Sequence, residues 1–283
     1  MSNNTYWNFS HLRFPTKPQV YYDMSCSVLS RRWHMVLFNN NTCRCQLEVS
    51  RQLTVKTTGS CVTEEFVRGQ ILGEANRIRI CQELEQFQHK LHRSFDNRKR
   101  SKAGVLIPLC IVDNHLSLLY TLRSAHLSAH ARQMSFPGGK MDKGDRDEVD
   151  TALRETKEEL GIPTEQIEVW TQLKPFPQRM GQSTITPVLG YIGNIDVESL
   201  RTSQSEVDKV ITVPILSLLN PSFHGYTHYQ NDLCYPVFHP MKLNYMTRSQ
   251  KIWGITAVLT DIFLAKTFPD IYQSTLEISK TLR

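Results

Sequence analysis

A mixed α/β layered domain is what this sequence predicts, and three observations predict it. Two apolar runs of strand length, Gly104–Val112 (GVLIPLCIV) and Leu116–Ser124 (LSLLYTLRS), flank the polar tripeptide DNH. Helix-type spacing precedes them, and the apolar stretch Lys251–Phe268 closes the chain as a further helix. Between these ends, strand-like runs alternate with one carboxylate-rich helical stretch. Helices before, between and after strands bury their apolar stripes by layering on a sheet.

From Thr63 the pattern is helical, and Leu84, Phe87, Leu91 and Phe95 recur at spacings of three and four as one apolar stripe. Asp113–His115 then joins two β runs as a hairpin. The segment MSFPGG leads into a helix expected over Arg146–Leu160, with Gly161 as its stop. Further strands are expected at Ile167–Leu173, Ile185–Gly193 and Lys209–Ile215. There is no internal repeat.

Composition narrows the class. Of 283 residues, 40% are hydrophobic and 21% charged, the balance of an ordinary globular protein. No apolar run approaches the roughly 20 residues of a bilayer-spanning helix, so no membrane span is expected. A net charge of +6 is modest, so nucleic acid is not an expected partner. The cluster RKRSK at Arg98–Lys102 reads as a solvated loop. Seven scattered cysteines without a C-x-x-C pair suit free thiols in a reducing, intracellular compartment. Oligomeric state is not legible.

The first 62 residues differ from the rest. Arg13, Lys17, Arg31, Arg32, Arg44, Arg51 and Lys56 stand against only Asp23 and Glu48, among many Ser, Thr and Asn. That basic, acid-poor composition suits a mitochondrial targeting segment, although a tail with no address would share it. The expected organisation is an extension over 1–62 and a domain over 63–283 with N- and C-terminal helices.

The chemistry concentrates in Ser135–Gly161, SFPGGKMDKGDRDEVDTALRETKEELG. On a helix Glu155, Glu158 and Glu159 fall at i, i+3 and i+4, and such like charges repel by about 0.2–0.5 kcal/mol per pair. A solvated face balanced by Arg154 and Lys157 is one reading. A bound hard divalent cation, Mg²⁺ or Mn²⁺, is the other, because oxygen donors suit such ions. The glycines at 138 and 139 allow a close backbone turn whose carbonyl, at Gly139, could join the glutamates.

Together the two halves resemble the box of the Nudix hydrolase family, G-x5-E-x7-R-E-U-x-E-E-x-G-U with U a bulky apolar residue. Gly139, Arg154, Glu155, Glu158, Glu159, Gly161 and Ile162 match its fixed positions. The interval from Gly139 to Arg154 is one residue longer than the pattern, its early glutamate is replaced by Asp145 or Arg146, and Thr156 takes a usually bulky place. The longer interval, with Asp142 and Asp145, is similar to the coenzyme A diphosphatase branch. So is the upstream LYTLRSAHLSAHARQMSFPGG, where Leu119, Thr121, Arg123, Ser124, Phe136, Pro137, Gly138 and Gly139 fall in register while Tyr120, Ser128 and Arg132 depart.

The resemblance implies a Nudix-type α/β/α sandwich with a mixed β-sheet. It also implies metal-dependent hydrolysis of the pyrophosphate of coenzyme A or acyl-coenzyme A, a small-molecule substrate, to 3′,5′-ADP and 4′-(acyl)phosphopantetheine. Glu155, Glu158, Glu159 and the Gly139 carbonyl would hold Mg²⁺ or Mn²⁺, and Arg154 would orient the glutamates. Glu206 would be a further ligand or the general base, unless it is an exposed loop residue. Arg123, Ser124, Arg132 and Lys140 would meet the substrate, with Arg123 the first choice for a phosphate because its planar fork suits that anion. Tyr120 and Phe136 are expected in the core. The terminal SKTLR carries no S-K-L address, so mitochondrion is the expected location. Two rivals stay open: a Nudix pyrophosphatase for ADP-ribose, NAD(H) or nucleotide-capped RNA, and a non-catalytic Nudix-fold binding module.

Overall fold

The hairpin expected around DNH is present and tighter than the tripeptide suggests. Strands β3 (Ser101–Val112) and β4 (His115–Arg123) pair antiparallel, with Val112 opposite His115. Asp113 and Asn114 alone turn the chain, at φ 48° and 61°. Two consecutive positive φ values match the twist of the flanking strands, and Asp and Asn tolerate them better than most residues.

This computed structural model describes residues 55–57, 60–87, 101–177, 183–229, 233–239 and 250–274, all within a unit spanning Ser50–Arg283. The basic segment up to residue 54, with its expected targeting role, lies outside them, as do Leu91 and Phe95. A short hairpin, β1 (Val55–Thr57) and β2 (Ser60–Val62), closes the stretch read as an extension.

Around β3 and β4 a mixed sheet assembles. Strand β9 (Ser183–Asn194) runs parallel to β3, while β7 (Glu168–Gln172) is antiparallel to β9 and β10 (Val207–Pro214) antiparallel to β4. The order is β10-β4-β3-β9-β7. Short pieces β5 (Met134–Ser135), β6 (Gly138–Lys140) and β8 (Phe176–Pro177) pair with β4, β3 and β9. A second hairpin, β11 (His224–Tyr229) with β12 (Leu233–Phe238), was not legible in the sequence.

Period-two alternation sends side chains to two separate cores. Leu106, Cys110 and Leu119 join Ala152, Leu160 and Ile162 beneath helix α3 (Glu148–Leu160). Ile107, Leu109, Leu118 and Tyr120 face the opposite way, toward α1 (Glu64–Leu72), α2 (Glu74–Gln86), α4 (Ile215–Leu218) and α5 (Gly254–Thr267). The result is an α/β/α sandwich around a mixed sheet, as expected.

Gly73 splits the first helical stretch, serving as C-cap of α1 and N-cap of α2. Leu84 is buried as the stripe predicted, but Phe87 is the non-helical C-cap of α2 and stacks on Phe176. Tyr120 and Phe136 are buried and stacked at 4.8 Å between ring centroids, in the core as expected. Among the described residues no helix is long and apolar enough to cross a membrane, and Cys81 and Cys110 are free thiols.

Candidate active site

Helix α3 is fixed at both ends. The Asp147 carboxylate accepts from the backbone N–H groups of Val149 and Asp150, both at 2.9 Å, which starts the helix two residues later than the sequence suggested. Arg146 lies outside it and forks onto Asp150. At the other end Gly161 adopts φ 71° and returns its N–H to the Lys157 carbonyl. The buried hydroxyl of Thr156 donates to the Ala152 carbonyl at 2.7 Å, so a polar residue sits comfortably at a position the family fills with a bulky one.

Two glycines let this helix approach the sheet. A Cβ on Gly104 would lie 2.0 Å from the Glu148 carbonyl oxygen, and one on Gly139 would lie 2.3 Å from Oε1 of Glu155. Gly104 and Gly139 are cross-strand partners in β3 and β6, so one row of the sheet seats the helix and brings the Gly138–Gly139 turn against Glu155.

Arg154 is the hub beside that contact. Its guanidinium forks onto Asp145 at 2.9 and 3.0 Å, reaches Glu155 and Glu158 at 3.1 Å each, and donates to the Lys140 carbonyl at 3.1 Å. These contacts hold the Asp145 carboxyl well below the usual carboxylate range and raise the Arg154 guanidinium further. Glu158, 56% exposed, is thereby drawn toward Arg154 and is not part of the carboxylate cluster.

That cluster is Glu155, Glu159 and Glu206, whose carboxylate oxygens lie within 4.8 Å of one another. Glu206 arrives from the loop before β10 and is held from two directions. The Ser203 N–H donates to the Glu159 carbonyl at 3.0 Å, and the Ser124 N–H donates to the Glu206 carbonyl at 2.8 Å. A bulge between Val207 and Lys209 marks the point where this loop joins the strand.

Burial pushes the Glu159 carboxyl up to about 8, with Glu155 and Glu206 adding to the rise while Arg123 and the Gly138 N–H oppose it. Burial also raises Glu155, against the pull of Arg154. Glu159 is 3% exposed, and its Oε2 has no hydrogen-bond partner. A buried, unpartnered oxygen among converging carboxylates costs free energy unless a cation satisfies it. An all-oxygen donor set fits a hard divalent ion.

The residues expected at the substrate are distributed unevenly. Arg123, 26% exposed, places Nη1 3.9 Å from Oε1 of Glu159. Ser124 is fully buried, accepts from the His126 N–H through its hydroxyl, and serves to hold the Glu206 loop. Arg132 and Lys140 are exposed: the Arg132 N–H donates to the Arg123 carbonyl, and the Lys140 carbonyl accepts from Arg154. Asp145, which the sequence offers as a departure from the box pattern, is the forked partner of Arg154.

A NUDIX domain family model matches residues 101–226. The chain is 41% identical over 182 residues to "Mitochondrial coenzyme A diphosphatase NUDT8" of Mus musculus, spanning 64% of this chain and 85% of that protein. This chain belongs to the Nudix family. Similar Nudix relatives include the Homo sapiens protein of the same name, 42% identical over 62% of this chain and 73% of its own length. "Nudix hydrolase 3" of Caenorhabditis elegans is 36% identical over 64% of this chain and 79% of its own. The chain is a Nudix pyrophosphohydrolase, and its acidic cluster is consistent with the divalent cation typical of the family.

Proposed function

We propose that this Nudix hydrolase cleaves the pyrophosphate link of coenzyme A or acyl-coenzyme A with water, giving 3′,5′-ADP and 4′-phosphopantetheine or its acyl form. The observation that carries the chemistry is the convergence of Glu155, Glu159 and Glu206 around a buried oxygen with no protein partner. The substrate follows from the stretch Leu119–Gly139, which resembles the coenzyme A branch and ends at the carboxylates. The names of the mouse and human relatives support the same substrate.

Glu155, Glu159 and Glu206 would hold Mg²⁺ or Mn²⁺, which when bound neutralises pyrophosphate charge and lowers the pKa of water. Arg154, braced by Asp145 and the Lys140 carbonyl, keeps Glu155 in place. Glu206, the exposed member of the cluster, would be either a further ligand of that cation or the general base that accepts the proton of the attacking water. Arg123 offers its fork to a phosphate of the substrate. Arg132, whose N–H donates to the Arg123 carbonyl, and the exposed Lys140 would add positive charge for the substrate. Residues 1–62 act as a mitochondrial address ahead of the hydrolase domain, a reading supported by the relatives' names.

The test is a panel of coenzyme A, acyl-coenzyme A, ADP-ribose and NADH with Mg²⁺ or Mn²⁺, with products separated by chromatography. Release of 3′,5′-ADP from a coenzyme A species, faster than turnover of the others, is expected. Preference for ADP-ribose or NADH would overturn the substrate while keeping the carboxylate chemistry.

A further inference from the structure

Arg123 is held in an unfinished contact. Its Nη1 lies 3.9 Å from Oε1 of Glu159, too far for a hydrogen bond, and its Nε is buried without a partner. On the facing side Oε2 of Glu159 is also without a partner. No hydrogen bond links the two side chains. The Arg123 backbone, in contrast, is pinned: its N–H donates to the Gln133 carbonyl, its carbonyl accepts from the Arg132 N–H, and it pairs across the sheet with Val207. Only the side chain is at liberty to change partner.

We propose that Arg123 exchanges partners, lying against Glu159 until a divalent cation takes that carboxylate and then turning to a phosphate of the substrate, so that cation binding creates the anion subsite. The inference rests on the reading of Glu155, Glu159 and Glu206 as a metal site. Coulomb attraction favours the guanidinium beside the carboxylate cluster of Glu155, Glu159 and Glu206. A dication held there offsets two of the three carboxylate charges of Glu155, Glu159 and Glu206, so the pull that keeps the guanidinium beside Glu159 weakens. The donors of Arg123, Nε included, then require an acceptor, and phosphate oxygens match the planar fork. Arg123 therefore has opposite effects on the two ligands: it weakens binding of the cation alone and strengthens binding of the anion afterwards.

The experiment is calorimetric titration of the full chain with Mn²⁺ alone, then with methylenediphosphonate, a non-hydrolysable pyrophosphate mimic, with and without Mn²⁺. Wild type, Arg123→Gln, Arg123→Lys and Glu159→Gln are compared, each checked for folding by circular dichroism. Arg123→Gln is expected to bind Mn²⁺ at least about threefold more tightly than wild type, the repulsion being gone, and to bind the diphosphonate more weakly in its presence. Arg123→Lys, which keeps the charge but not the fork, is expected to match wild type for Mn²⁺ and to lose diphosphonate affinity. Wild type is expected to take up diphosphonate only after Mn²⁺. Unchanged or weaker Mn²⁺ binding by Arg123→Gln, with Glu159→Gln still impaired, would overturn the exchange and leave the metal site standing. Normal Mn²⁺ binding by Glu159→Gln would overturn the metal site, and the exchange with it.

Discussion

Arg154 and Asp145 meet through a two-point fork, Nε to Oδ1 at 2.9 Å and Nη2 to Oδ2 at 3.0 Å, and the same guanidinium reaches Glu155 at 3.1 Å. Asp145 thus aims an arginine, and the arginine aims a carboxylate of the cluster. Lysine has one ammonium and no fork. Arg154→Lys and Asp145→Asn are each expected to lower kcat/KM by at least ~10-fold, with the double variant little worse than either single one because the pair acts as a unit. Additive losses in that double-mutant cycle would contradict the shared role.

Gly104 and Gly139 face each other across the sheet, but replacing them should have different outcomes. In Gly139→Ala the new methyl meets the flexible end of Glu155, which can move. Melting should change little, while turnover falls by roughly 10- to 100-fold through the misplaced carboxylate. In Gly104→Ala the methyl meets the Glu148 carbonyl and the Ala152 N–H, which are helix backbone. Overpacking of that kind costs about 1–3 kcal/mol or more, readable as a lower urea midpoint.

Glu159 makes the metal-free protein sensitive to pH. Its carboxyl is pushed up to about 8 in the folded chain from 4.5 when unperturbed. Between those values the folded state keeps a proton that the unfolded state has released. Stability should therefore fall as pH rises through this window, by at most about 1.4 kcal/mol per pH unit. Mg²⁺ or Mn²⁺ favours the ionised form and should flatten the slope. Melting temperatures from pH 5 to 8.5, with chelator and with metal, measure this; a rising chelator curve would contradict the assignment.

Glu159→Gln keeps the shape and removes the charge. Metal-dependent turnover should drop to background, while the chelated protein at pH 8 melts at or above wild type, since no buried carboxylate is then forced to ionise. Full activity in that variant would remove Glu159 from the mechanism.

The parts legible in the sequence were those set by near neighbours along the chain. The hairpin at Asp113–Asn114, the stop at Gly161 and the two-sided burial of Gly104–Val112 each follow from local residue chemistry. Glu158 shows where a local rule divides. Successive helical residues turn by about 100°, so Glu158 lies as near to Arg154 in angle as Glu159 does to Glu155, and the salt bridge takes it. Counting carboxylates on a face did not resolve that competition. Gly73 divides the helical stretch expected from Thr63 upstream of the stripe that begins at Leu84, because that spacing reports a face and not the continuity of the helix before it. The place of Glu206 beside Glu155 and Glu159 depends on β10 pairing with β4, a contact between distant segments that no short motif encodes.

The distance in sequence between Glu159 and Glu206 also bears on how the chain matures. A polypeptide halted before β10 has joined the sheet possesses two of the carboxylates and lacks the third. If the three carboxylates hold the proposed cation, tight binding would be reserved for molecules that have completed the sheet, and the ion would add its binding free energy to those alone. Such an ion would act as an inspector of assembly, rewarding the finished architecture and leaving the half-built one unaided.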